Sequence, residues 1–160
     1  KYYKIESETR YYVPLYNIYV LLFRAGIKYG DGFGGTKELP FFENFYAGGI
    51  GTVRGYEDNS LGPEDSKNAA MGGNISLSGT MSFNFPLPYI DADTVRTSVF
   101  VDAGNVFDES LELNKMRYTV GLAGQWLSPM GPLAVSIATP IKKFAGDRTK
   151  AFQFHMGTTF

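Results

Sequence analysis

The chain has 160 residues, with 15 Lys and Arg against 16 Asp and Glu, which suits one domain of ordinary size with a formal net charge of −1. That balance lacks the basic excess of a nucleic-acid binder, and the absence of cysteine excludes disulfide frameworks, thiolate metal sites and cysteine nucleophiles. Phe 13, Tyr 11 and Trp 1 stand beside 19 Gly, while charged residues are only 19%, below the roughly 25% of soluble domains, so a helical bundle is disfavoured.

Taken in chain order, seven segments alternate apolar and polar residues, the period of a strand whose side chains point to opposite faces. Residues 2–13 set Tyr3, Ile5, Tyr11 and Val13 against Lys4, Glu6, Glu8 and Arg10. After the short connection Pro14-Leu15-Tyr16-Asn17, residues 19–30 set Tyr19, Leu21, Phe23, Ile27 and Tyr29 against Arg24, Gly26 and Lys28. A long connection over 31–73 follows. Residues 74–86 alternate most cleanly, with Ile75, Leu77, Met81, Phe83 and Phe85 opposite Ser76, Ser78, Thr80, Ser82 and Asn84. Residues 94–107 place Val95, Val99, Val101 and Ala103 against Arg96, Ser98, Asp102 and Gly104. Residues 115–128 place Met116, Tyr118, Val120, Leu122 and Trp126 against Arg117, Thr119, Gly121 and Gln125. Residues 132–141 and 151–160 complete the set. No segment shows a 3.6-residue period.

The connections sort by length. Those after the second, fourth and sixth strands are longer polar stretches, those after the first and fifth are short, and residues 86–93 after the third are intermediate and are placed at the turn end by parity. This is the pattern of an antiparallel meander that crosses an outer membrane, with loops at one end and turns at the other. A soluble β-sandwich also alternates, but the predicted strands, at about 10–14 residues, exceed the usual ~5–6. The longest apolar run, Ile18 to Phe23, is far short of the ~20 residues of a membrane helix, a measure that does not apply to barrels. The opening Lys1-Tyr2-Tyr3-Lys4-Ile5 does not read as a signal peptide.

Chemical motifs are few. Gly30-Asp31-Gly32-Phe33-Gly34-Gly35 satisfies G-x-G-x-x-G, but a dinucleotide fingerprint must open a helix, and Leu39-Pro40-Phe41-Phe42 has no helical period. His155 is the single histidine and reads as inward-facing filler on the last strand. Glu64 and Asp65 read as a solvated acidic pair. No catalytic set, metal set or cofactor emerges, and the chain does not read as an enzyme. The loop over 31–73 is different, because its aromatics and glycines argue against disorder in a connection of that length. Within it lies Val53-Arg54-Gly55-Tyr56, whose arginine can enter the barrel and pair with an acid.

Phe45-Tyr46-Ala47-Gly48-Gly49 followed by Val53-Arg54-Gly55-Tyr56 resembles the V-R-G-[FY] loop of the BamA family of outer-membrane β-barrel assembly factors. The resemblance continues through Val95-Arg96-Thr97-Ser98, Asp102-Ala103-Gly104, Gln125-Trp126-Leu127-Ser128-Pro129, Gly131-Pro132-Leu133 and the aromatic-ended last strand. It implies an all-β, antiparallel up-and-down transmembrane barrel of sixteen strands preceded by periplasmic POTRA domains. Residues 1–160 would be a single partial barrel domain, the last seven or so strands, without the POTRA domains or the first half of the barrel. Residues 31–73 would be an extracellular loop that enters the lumen.

The function implied is that of an insertase in the Gram-negative outer membrane that folds and inserts nascent β-barrel clients. The lipid bilayer, those clients and accessory assembly lipoproteins would be its partners. A transporter pore of the two-partner secretion type shares the V-R-G-[FY] loop and is the other reading. The family often carries an acid at the position of Ser82, so its absence leaves Asp102 as the main expected partner of Arg54 in a latch with Val53, Gly55 and Tyr56. The resemblance also marks the last strand as the seam where clients engage. There Phe152, Phe154 and Phe160 would face lipid, and Gly157 would weaken pairing.

Overall fold

The computed structural model describes residues 1–157. The alternating segments form seven strands: β1 (Tyr2–Leu15), β2 (Tyr19–Gly32), β3 (Ile75–Phe85), β4 (Val95–Phe107), β5 (Arg117–Ser128), β6 (Gly131–Lys142) and β7 (Phe152–Met156). They pair antiparallel in sequence order as one sheet. Among the described residues β1 and β7 each have one partner, so the sheet is open at both ends. Of the expected last strand, Phe152–Met156 is strand, and Thr158, Thr159 and Phe160 lie outside the described residues. The expected start of the fifth strand shifts from Lys115 to Arg117, because Leu113–Lys115 closes into a 3-10 turn.

Register fixes which side chains share a face. Asp102 lies opposite Thr80 and Thr119, Phe100 opposite Ser82 and Gly121, and Gln153 opposite Ser136. These residues belong to the polar, inner face. The opposite face carries Val99, Val101, Val120, Leu122, Val135, Ile137, Phe152 and Phe154, all exposed. A contiguous apolar surface of this kind is what a lipid-facing sheet presents. The core is therefore not between two sheets. It lies where the connection 33–74 folds over the inner face, as a cluster of Ala47, Val53, Tyr56 and Leu61 against Val106 of β4.

The connection is ordered by its own bonds. Phe45 pairs with Gly73, Ala47 with Leu61 and Glu64 with Ala70 as isolated bridges. Asp65, half of the acidic pair, accepts the backbone N–H groups of Lys67 and Ala69 and so shapes a turn. The G-x-G-x-x-G stretch runs through Gly34 and Gly35, both at positive φ, into Pro40 and the three-residue turn Phe41–Glu43. No helix follows to hold a phosphate. Glu43 accepts from the Tyr2 hydroxyl at 2.8 Å and from Lys4 at 3.3 Å, which pins this end of the connection to β1.

Proline placement explains two irregularities. Pro14 sits on β1, an edge strand, where a missing N–H is tolerated. Pro140 lies at the β5–β6 register shift beside Tyr118 and Thr119, and β6–β7 pairing spans only Leu133–Ile137, so its absent donor breaks no ladder bond to β7. At the β5–β6 turn Ser128 accepts from the Met130 N–H and donates to the Gly131 carbonyl.

Ile137, in the middle of β6 on the outer face, is 60% exposed. Ile137→Arg is expected to destabilise the protein by about 2–4 kcal/mol in a bilayer, measured by urea unfolding in phospholipid vesicles. A change within ~0.5 kcal/mol, as at a water-facing surface, overturns the lipid-facing assignment.

Candidate functional site

The site is built where Val53-Arg54-Gly55-Tyr56 meets β4, β5, β6 and β7. The connection turns into it through Gly48, Gly49 and Thr52, with the Gly49 N–H donating to the Val53 carbonyl and the Thr52 hydroxyl accepting from Gly48. Val53 is fully buried in the apolar cluster. It lies so close to β4 that a Cβ on Gly104 would come within 2.5 Å of a Val53 methyl. Any side chain at Gly104 would push the connection off the sheet.

Arg54 and Asp102 form a bidentate pair. The guanidinium Nε and Nη2 donate to the two carboxylate oxygens at 2.7 Å each. The Arg54 backbone N–H donates to Asp102 Oδ2 at 3.0 Å, so one carboxylate receives three donors from one residue. Asp102 has no solvent exposure and the Arg54 side chain retains 15%. The guanidinium carbon lies 3.3 Å from the Phe100 ring centroid, covering its flat face. The planar fork and the flat stacking surface are properties of arginine that lysine lacks.

Gly55 has φ +92°, and a Cβ there would meet the Ala138 methyl at 3.0 Å. Both the left-handed backbone and the close approach to β6 call for glycine. Tyr56 is fully buried, and its hydroxyl donates to the Lys142 carbonyl at 2.8 Å. Burial pushes its phenol up to about 12, and the Asp147 carboxylate adds to the rise.

Two further groups close the site that sequence reasoning did not single out. Gln153 of β7 accepts the Gly55 N–H at 3.1 Å and donates to the Tyr56 carbonyl at 2.8 Å. Asp147, in the β6–β7 connection, receives Arg117 Nε and Nη2 at 3.1 and 2.7 Å and the Phe144 N–H at 2.8 Å. The Glu57 N–H donates to Arg148 and the Lys150 N–H to Gly55, so residues 55–57 run against 148–150. The inward position of Gln153 was readable from alternation, but its partners were not. They are backbone groups about a hundred residues away, and no sequence pattern marks them.

The sequence-derived site residues thus fall in two places. Val53, Arg54, Gly55, Tyr56 and Asp102 come together. Phe152 and Phe154 lie apart from them on the outer face of β7. Gly157 follows β7 at φ +139° and donates its N–H to the Pro132 carbonyl. Ser82 is buried on the inner face opposite Phe100 and is not among the hydrogen-bond partners of Arg54. Among the described residues no group of three or more His, Cys, Asp or Glu could hold a metal ion.

The Omp85 superfamily domain matches residues 1–160. The outer membrane protein assembly factor BamA of Neisseria meningitidis serogroup B is 38% identical over an alignment that takes in 100% of this chain and 24% of that protein. The SAM50-like protein of Schizosaccharomyces pombe is 27% identical over 78% of this chain and 28% of its own length. The crystal structure of BamA from Haemophilus ducreyi lacking POTRA domains 1-3 superposes with a TM-score of 0.86 at 35% identity. That match covers 96% of this chain and 34% of the other. The chain spans about a quarter of the length of the Neisseria protein it matches.

Two outcomes test this geometry. Arg54→Ala leaves a buried carboxylate without its counter-charge and should free the connection at a cost of about 3–5 kcal/mol, with Arg54→Lys recovering only part of it. Protease accessibility of residues 45–61 reads both. The Tyr56 phenol must stay neutral in the folded protein, so its contribution is complete below its ordinary value of 10 and is lost as pH rises through about 12. The tyrosinate absorbance difference between the parent and Tyr56→Phe should show a midpoint near 12; a midpoint near 10 refutes the buried placement.

Proposed function

Because this chain belongs to the Omp85 superfamily, we propose that it is part of an outer-membrane insertase of the Gram-negative envelope, one that folds and inserts nascent β-barrel proteins. The observation that carries this reading is the V-R-G-Y segment seated on the inner face of a sheet whose outer face is apolar, with Arg54 held bidentate by Asp102, in a chain 38% identical over its whole length to an outer membrane protein assembly factor BamA. An incomplete client sheet in lipid exposes unpaired N–H and C=O groups at several kcal/mol each. A free strand edge supplies matching donors and acceptors while the client acquires its own strands.

In this reading the connection 31–73 is an extracellular loop that enters the barrel lumen. Its V-R-G-Y segment is a latch that holds the interior in one arrangement during client entry. Phe152, Phe154, Gly157 and Phe160 define the client-facing strand, with the phenylalanines in contact with lipid. The bilayer, the nascent barrel clients and accessory lipoproteins of the assembly complex are the partners.

Cysteines placed singly along residues 152–156 should crosslink to a stalled client with the alternation of a strand edge. Crosslinks confined to the tip of the 31–73 connection overturn the reading. Arg54→Ala should lower the yield of folded client in reconstituted vesicles, and Arg54→Lys should restore it in part.

A further inference from the structure

β7 is not held by its ladder alone. Gln153 points from β7 into the covered face and is 4% exposed. Its side-chain amide accepts from the Gly55 N–H and donates to the Tyr56 carbonyl, two buried bonds spanning 98 and 97 residues. One acceptor and one donor on a planar amide reproduce what a neighbouring backbone would offer to an extended segment. The chain leading into β7 is bound to the same segment, through the Lys150 N–H to the Gly55 carbonyl at 2.9 Å and the Glu57 N–H to the Arg148 carbonyl at 3.0 Å. Arg54, the adjacent residue, is anchored to Asp102 on β4. Three consecutive residues therefore bridge β4 and β7, which are three places apart in the sheet.

We infer that Gln153 is a positioning residue that couples β7 to the latch, so that β7 and the Val53–Tyr56 segment are held or released together. The physical basis is reciprocity. If the seated segment stabilises β7 through Gln153, a displaced β7 must destabilise the segment by the same factor. The coupling stands on geometry alone; its use in client assembly rests on the reading proposed above.

Hydrogen–deuterium exchange on the full-length protein in lipid nanodiscs tests the coupling without any client. Gln153→Met keeps the side-chain length and removes both polar atoms. It should speed exchange of the backbone amides at position 153 and His155, the ones that the register turns toward Ser136 and Ala134 of β6, about tenfold or more, the loss expected for two neutral hydrogen bonds. It should also speed exchange of the Arg54 and Gly55 amides, while the β3–β4 ladder is unchanged. Arg54→Ala should speed the same β7 amides although it touches no atom of β7. The double variant should match the single variants rather than multiply them.

Gln153→Glu supplies an isosteric check if Gln153→Met does not fold. The protonated acid can still donate to Tyr56 and accept from Gly55, whereas the carboxylate cannot donate. Exchange at β7, referenced to β3–β4 amides, should therefore be slow at acidic pH and fast at neutral pH. Exchange effects confined to β7 in Gln153→Met, or β7 exchange unchanged in Arg54→Ala, overturn the inference. Intact coupling with failed client crosslinking would instead refute the assembly role alone.

Discussion

A carboxylate with no exposure to solvent must have its charge and lone pairs answered within the protein. Asp102 is such a group, and one residue answers it. Arg54 supplies two guanidinium donors and its own backbone N–H. Because a backbone donor is included, the pairing fixes the main chain of the connection as well as the tip of a side chain. Val53 and Tyr56 on either side are then committed to the apolar cluster, and Gly55 is pressed against β6. A lysine could neutralise the charge, but it could not set the backbone in the same way through a flat, forked contact over Phe100.

This dependence follows from the inverted polarity of the sheet. Its apolar residues lie on the outer face, where burial in lipid and not in protein is available to them. The inner face, with its serines, threonines, glycines and charges, cannot build a hydrophobic core of its own. The connection between β2 and β3 brings one instead: Ala47, Val53, Tyr56 and Leu61 settle on Val106. Such a cluster is small, and without directional bonds it could slide over a face of small residues. The Arg54 pair and the Gln153 amide supply the direction.

Alternation made the strands legible because each residue on a two-faced sheet meets one of two solvents. It also placed Asp102 inward, and with the family resemblance that was enough to choose it over the absent acid at Ser82. Other features were not legible. Arg117 and Asp147 form a pair as geometrically complete as the central one, yet Asp147 lies in a connection where period-2 reasoning does not apply. The bulge beside Pro140 arises from pairing with β5 and leaves no mark on the alternation of β6 itself. Gln153 lies on the face opposite Phe152 and Phe154, as alternation requires, but a neutral amide carries no sign that selects its partner. Its two bonds go to backbone groups, and those are anonymous in a sequence.

The neutrality that hid Gln153 also distinguishes what the two anchors can do. Separating Arg54 from Asp102 would leave a carboxylate with no solvent exposure without its counter-charge, so that contact resists opening. Separating Gln153 from Gly55 and Tyr56 leaves only neutral dipoles, and a strand arriving at the edge of β7 brings amide groups of its own. The difference follows from chemistry rather than distance, since both sets of bonds have ordinary lengths. The sheet thus carries a strong fixed point on β4, deep among interior strands, and a weaker exchangeable one on its edge. If clients engage this strand as proposed, an edge that is ordered before a partner arrives and movable afterwards calls for the second kind of contact. A charged pair at position 153 would hold β7 too firmly, and an apolar residue would leave the Gly55 N–H and the Tyr56 carbonyl without these partners in a buried place.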